Sequence, residues 1–422
     1  MGEASARGSD STGQRTSVLR RLGPGLLVTA AFIGPGTVTT ASLAGADYGF
    51  ALIWAVIFSV ASAIVLQEMA ARLGLVTREG LGQAMRTTFD NPVVKVLVAV
   101  LVVGAITLGN TAFQTGNVIG GALGLEAIFP AISSQAWAIA VGVVAGVLLA
   151  TGAYKVIERA LVVLVGVMSV VFIVTAIISQ PDLGRLAAGL VPSVPSGSLV
   201  TVIALIGTTI VPYNMFLHAS SVQEKWPESV PPERSLPESR FDVSASVVLG
   251  GIISFSIVAA AAAAFFGTGK SFDDAAGMAI QLEPLLGPAA KYFFATGLFA
   301  AGITSSVTAP LAAAYATSGV LGWGGGLRDN RFRAVWVAVL VVGTVVPALL
   351  GTSPLQAILV AQAANGVLLP IIAVFLLVVM NRGDLLGEHR NGPVANVLGG
   401  LVVLVATSLG VFLVLSGLGY VG

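Results

Sequence analysis

The sequence predicts an all-α polytopic membrane protein, and three observations predict it. The chain of 422 residues is 56% hydrophobic and only 10% charged, against roughly 25% charged in a soluble domain; its mean hydropathy is +0.94. Apolar windows of about 20 residues, the length that crosses a bilayer, recur eleven times. Basic residues distribute between the ends of those windows in an alternation that one missed span would scramble.

The spans are expected near 24–48, 51–74, 93–122, 135–153, 157–179, 197–222, 243–267, 287–319, 331–350, 354–381 and 394–419. Residues 1–22 are polar and read as a disordered cytoplasmic tail, because a signal peptide needs an apolar core near its start. The longest polar connection, 223–242, is rich in Pro, Glu and Ser and reads as a solvated loop. With the N-terminus inside, 18 Lys and Arg fall on the cytoplasmic side and only Arg185, Lys270 and Lys291 outside. Eleven spans then put the C-terminus outside, and a bacterial inner membrane is the expected location.

Composition also excludes. Without cysteine there is no disulfide, iron–sulfur cluster or Cys-ligated zinc. Two histidines leave little for a His-based metal site, and a net charge of +1 suggests no nucleic-acid partner. Gly322–Gly326 lacks the Lys-Ser/Thr of a phosphate loop. Neither a reactive constellation nor an appended soluble domain is present, so no enzyme and no cofactor are expected.

Two spans are interrupted. Ile33-Gly34-Pro35-Gly36-Thr37 sits in the middle of the first. Pro35 has no N–H and clashes with the preceding turn, and the glycines lose the most backbone entropy. Backbone groups freed in hydrocarbon need partners, so such a break survives where it lines a protein-walled cavity. The sixth span breaks at Gly207-Thr208-Thr209-Ile210-Val211-Pro212-Tyr213-Asn214. An offset of five spans places the two halves in opposite orientation, and paired breaks in an inverted repeat point to a secondary transporter's central site. A channel would want a continuous polar stripe along several helices.

The chain resembles the Nramp family, within the LeuT-like superfamily of transporters. The residues that carry the resemblance are 23–36 (GPGLLVTAAFIGPG), 44–50 (AGADYGF), 66–77 (LQEMAARLGLVT), 208–220 (TTIVPYNMFLHAS) and 298–308 (LFAAGITSSVT). It implies a LeuT-like fold, a five-plus-five inverted repeat, about 23–180 and 197–381, and alternating access. Residues 23–381 then form a ten-helix core, and 382–422 a loop and an eleventh helix. The family's metal chemistry is not carried over. Its first broken helix reads Asp-Pro-Gly-Asn, where this chain has Gly34 and Thr37 at the metal-binding places. Its sixth reads Met-Pro-His, where this chain has Val211, Pro212 and Tyr213. Asn110 and Phe113 align with an Asp and a Glu that move protons; Gln362 and His218 are retained.

A divalent ion stripped of water at mid-membrane needs anionic or many oxygen ligands. Transition-metal transport is therefore disfavoured by the sequence. The expected lining is Gly34, Gly36, Thr37, Thr208, Thr209, Val211, Tyr213, Asn214, Gln362 and Asn365, a neutral hydrogen-bonding set. It suits a small polar, zwitterionic or anionic organic solute, with a hard cation such as Mg²⁺ as the alternative. For any one threonine, packing with a bond back to its own helix competes with a ligand role. The resemblance suggests Thr304 and Ser305 as a sodium site, with packing the competing role. His218 is a candidate proton switch or a hydrogen-bonded packing histidine, so the coupling ion is Na⁺ or H⁺. Glu68 is expected to pair with Arg72 at i, i+4, and Asp47 to cap the outer end of the first span. Lys155, Glu158 and Arg159 read as a cytoplasmic rim, and a monomer is expected.

Overall fold

The structure, a computed structural model, describes residues 23–151, 154–323, 329–349 and 353–418. The expected tail lies outside the described residues, as do the side chains of Lys155, Glu158 and Arg159.

The first span is two helices, α1 (Pro24–Phe32) and α2 (Pro35–Tyr48). They are followed by α3 (Ile53–Thr77), the short α4 (Leu81–Thr88), α5 (Pro92–Ile128), α6 (Ser134–Thr151), α7 (Tyr154–Ile178) and the short α8 (Leu183–Ala188). The sixth span is again two helices, α9 (Leu199–Thr209) and α10 (Pro212–Lys225). Then come α11 (Pro232–Phe265), short turns over 275–289, α12 (Ala290–Leu321), α13 (Asn330–Leu349), α14 (Pro354–Met380) and α15 (Pro393–Gly417). Among the described residues, nine helices are long and apolar enough to cross a membrane. The broken α1–α2 pair and α7 complete the eleven spans. The protein is an all-α integral membrane protein.

The two breaks are built alike. Each first half-helix ends on an isoleucine with ψ near 70°: Ile33 (φ −80°, ψ 74°) and Ile210 (φ −103°, ψ 70°). Each second half starts with a proline, after extended Gly34 or Val211. Proline ends the first half because it cannot donate. It suits the first position of the second half, where its missing N–H is unsatisfied anyway.

The packing repeats the symmetry. The first broken span lies along α11: a Cβ on Gly250 would meet Phe32, and one on Gly45 would meet the Val258 carbonyl. The second broken span lies along α3, where Gly74 abuts the Ala219 carbonyl and His218 meets Gln67. The two long helices α5 and α12 cross at Gly121 and Gly302. Valines and leucines such as Val93, Val100, Leu108, Val143 and Leu404 are exposed on the periphery, as a lipid-facing surface requires.

Three expectations are corrected. Residues 232–242 of the supposed loop are the first turns of α11. Pro232 opens the helix and Glu233 favours its positive end. Pro237 lies inside this helix. Asp47 does not cap α2: it is exposed, and the end is closed by Gly49 at φ 58°, whose N–H bonds the Gly45 carbonyl. A carboxylate has nothing to donate to terminal carbonyls. Third, α5 extends to Ile128, six residues past the expected end. The Glu68–Arg72 pair is present at 3.0 Å, and Arg240 also reaches Glu68 at 3.0 Å.

Candidate functional site

The two breaks meet at the centre of the molecule. Thr37, in the first turn of α2, stands 2.8 Å from Thr208, in the last turn of α9, hydroxyl to hydroxyl. Thr37 Oγ1 also donates to the Phe32 carbonyl, tying the start of α2 to the end of α1. Thr208 lies where the last carbonyls of α9 lose their i+4 donors, and Thr37 where the first N–H groups of α2 lack acceptors, so the two hydroxyls sit among freed backbone groups of both kinds.

Other elements close round this pair. Gln362 on α14 lies against the backbone of Gly36; a Cβ there would be 2.3 Å from Nε2. The same Nε2 lies against Gly116 of α5. Ser305 Oγ and Asn117 Oδ1 face Gly34, at 3.0 and 3.7 Å from where its Cβ would stand. Gln362, Asn117 and Asn214 are fully buried, and both amide atoms of each have no hydrogen-bond partner within the described residues. Buried amides are costly when unsatisfied, and such groups mark water or ligand positions.

Gly34, Gly36, Thr37, Thr208, Gln362 and Ser305 of the expected set thus come together. Others stand apart. Thr209 bonds back to the Leu205 carbonyl at 2.9 Å, the packing role. Val211 is buried backbone of the break, and Tyr213 packs edge-to-face on Phe113 with centroids 5.7 Å apart. Asn365 lies beside Gly109, further along α5. Thr304 bonds back to the Ala300 carbonyl at 2.8 Å and, with Ser305, Thr29 and Ile33, lines a cavity of about 260 Å³ between α1, α7, α11 and α12. His218 is buried with Nδ1 2.9 Å from Gln67 Oε1.

Asn117 is the residue that the sequence reading passed over. Asn110, Gln114 and Asn117 recur at helical spacing in an apolar helix, and that periodicity was the available signal. Electrostatically the centre is neutral: among the described residues, no group of three His, Cys, Asp or Glu side chains could hold a metal ion.

The family model for natural resistance-associated macrophage protein-like sequences matches residues 25–416. The chain belongs to the Nramp family. Curated relatives include the divalent metal cation transporter MntH of Yersinia pestis, 30% identical over 94% of this chain and 95% of the relative. MntH of Klebsiella pneumoniae is 28% identical over 99% of both. Among solved structures, an Eremococcus coleocola manganese transporter superposes with a TM-score of 0.78 at 22% identity, covering 98% of this chain and 90% of that one. The more distant MhsT, in complex with L-phenylalanine, has a TM-score of 0.61 at 15% identity, covering 95% of this chain and 98% of that one. These likenesses place this Nramp chain in the LeuT-like fold, with its inverted repeat, two discontinuous helices and added eleventh helix. Its family is one of membrane transporters.

Proposed function

We propose that this Nramp protein is a secondary transporter that moves a hard divalent cation, Mg²⁺ first and Mn²⁺ after it, by alternating access at the two helix breaks. Coverage of nearly the whole length of relatives named as divalent metal cation transporters supports a cation over the organic solute that the sequence favoured. The observation that carries the reading is the gathering of neutral oxygen donors along the first break: Ser305 and Asn117 against Gly34, Gln362 against Gly36, and Thr37 facing Thr208. Such a set binds a cation that keeps part of its water shell, as Mg²⁺ does. The lone amides of Asn117 and Gln362 would hold those waters. Without a thioether or imidazole among these donors, softer ions gain nothing. Coupling to Na⁺ through Thr304 and Ser305, or to H⁺ through His218, belongs to the same proposal, as do the monomer, the bacterial inner membrane and the N-terminus inside.

The second reading is a small polar, zwitterionic or anionic solute. It is favoured by the missing acid and by the freed N–H groups of Gly36 and Thr37 at the start of α2, which suit an anion. Uptake into proteoliposomes separates the two. Saturable Mg²⁺ flux that Mn²⁺ competes and Cd²⁺ does not is the expected result. Flux of an amino acid or small carboxylate with no divalent flux would replace the first reading with the second.

A further inference from the structure

We propose that Asp242 is a positioning residue that pins the free end of α1, and that its release opens one mouth of the central chamber. The inference rests on the alternating-access reading above.

The N-terminus of a helix exposes N–H groups that need acceptors. Gly23, at the N-cap of α1, has no side chain to supply one. Asp242 supplies it from another helix: Oδ1 accepts from the Gly23 N–H at 2.8 Å and Oδ2 from the Gly25 N–H at 2.9 Å. The carboxyl group is fully buried. Ser246 Oγ is 3.5 Å from Oδ1, and Lys225 Nζ, at the end of α10, is 3.9 Å from Oδ2. One side chain on α11 therefore joins the first half of one broken span to the second half of the other. The positive end of the α1 dipole and the ammonium both favour it.

The geometry makes α1 a lever. It has nine residues, it turns about the non-helical Ile33–Gly34 link, and Asp242 holds its far end. Two helical turns on from Asp242, Phe32 and Thr29 pack over Gly250 of the same helix. Beside that contact lies the cavity of about 260 Å³, where Thr29 and Ile33 stand with Leu249 and Ile253 of α11 and with Ser305, and Ser305 borders the break. α1 thus forms one wall of that cavity, and Ser305 stands between the cavity and the break. Moving it off α11 requires parting both N–H bonds to Asp242.

The chain has no cysteine, so single reporters can be introduced without background. Thr29→Cys reports on α1 and Ser42→Cys on α2, beyond the break; both side chains are buried. With purified full-length protein and N-ethylmaleimide, Asp242→Ala is expected to speed labelling at the Thr29 reporter on the order of 10-fold. The Ser42 reporter should be unchanged or slower. Lys225→Gln should give the same asymmetry at smaller amplitude, and it keeps the test open if Asp242→Ala does not fold. A rise at Thr29 no greater than at Ser42, or no rise in either variant, overturns the proposal. Because labelling needs no cargo, failure here is distinguishable from failure of the transport reading.

Discussion

Thr37 and Thr208 face each other across the two helix breaks, hydroxyl oxygen to hydroxyl oxygen at 2.8 Å. They are 171 positions apart in the chain, and each lies within one turn of a proline-started interruption. Neither hydroxyl is spent on its own helix in the usual i−4 manner. A cargo that enters here takes the place of one hydroxyl as the other's partner.

Thr37→Val and Thr208→Val are therefore expected to lower cargo uptake by on the order of 10-fold each, since a net hydrogen bond contributes about 1 kcal/mol. The melting temperature should change little because valine fills the same volume. Uptake assays on both variants check this, and full activity in both would place the cargo elsewhere.

Gly36 and Gly207 predict opposite outcomes for the same substitution. In Gly36→Ala the new methyl meets the far end of the Gln362 side chain at 2.3 Å. That end can rotate away, so stability holds while binding weakens. In Gly207→Ala it meets the Gln362 carbonyl oxygen at 2.1 Å, which is backbone. Overpacking there is expected to cost about 1–3 kcal/mol. Thermal melts alongside cargo titration distinguish the pair.

If Ser305 and Thr304 hold a coupling sodium ion, the double change to alanine should abolish sodium dependence and leave residual uptake. Thr304 already bonds the Ala300 carbonyl, so a sodium ion would share its oxygen. Uptake that stays sodium-dependent in the double variant rejects this assignment.

For His218 the distinguishing change is His218→Gln, which can still bond Gln67 but cannot titrate near neutrality. A proton switch predicts that the pH profile of uptake flattens. A packing histidine predicts an unchanged profile, with the cost confined to stability. Uptake measured between pH 5 and 8 decides between them.

The breaks themselves were legible because Gly-Pro-Gly and Ile-Val-Pro inside apolar runs leave the backbone no regular alternative. The neutrality of the centre was legible too, since Gly34, Thr37 and Val211 carry no charge. Asn117 and Asp242 were not. Asn117 looks like any polar residue of a long helix until α5 meets the break at Gly34 and Ser305. Asp242 looks like part of a solvated loop until α11 is seen to begin at Pro232 and to bury it under α1. Thr209, next to Thr208 in sequence, proved to bond its own helix, a choice that only side-chain direction settles.

The sequence by itself determined that the chain lives in a membrane, that it crosses eleven times, and where two crossings come apart. Hydropathy and proline act locally, and local chemistry can be read along a line. Tertiary structure alone decided which neutral groups share the centre and which acidic group fastens the first half-helix. Those partners lie on different helices, and only packing sets the distance between them.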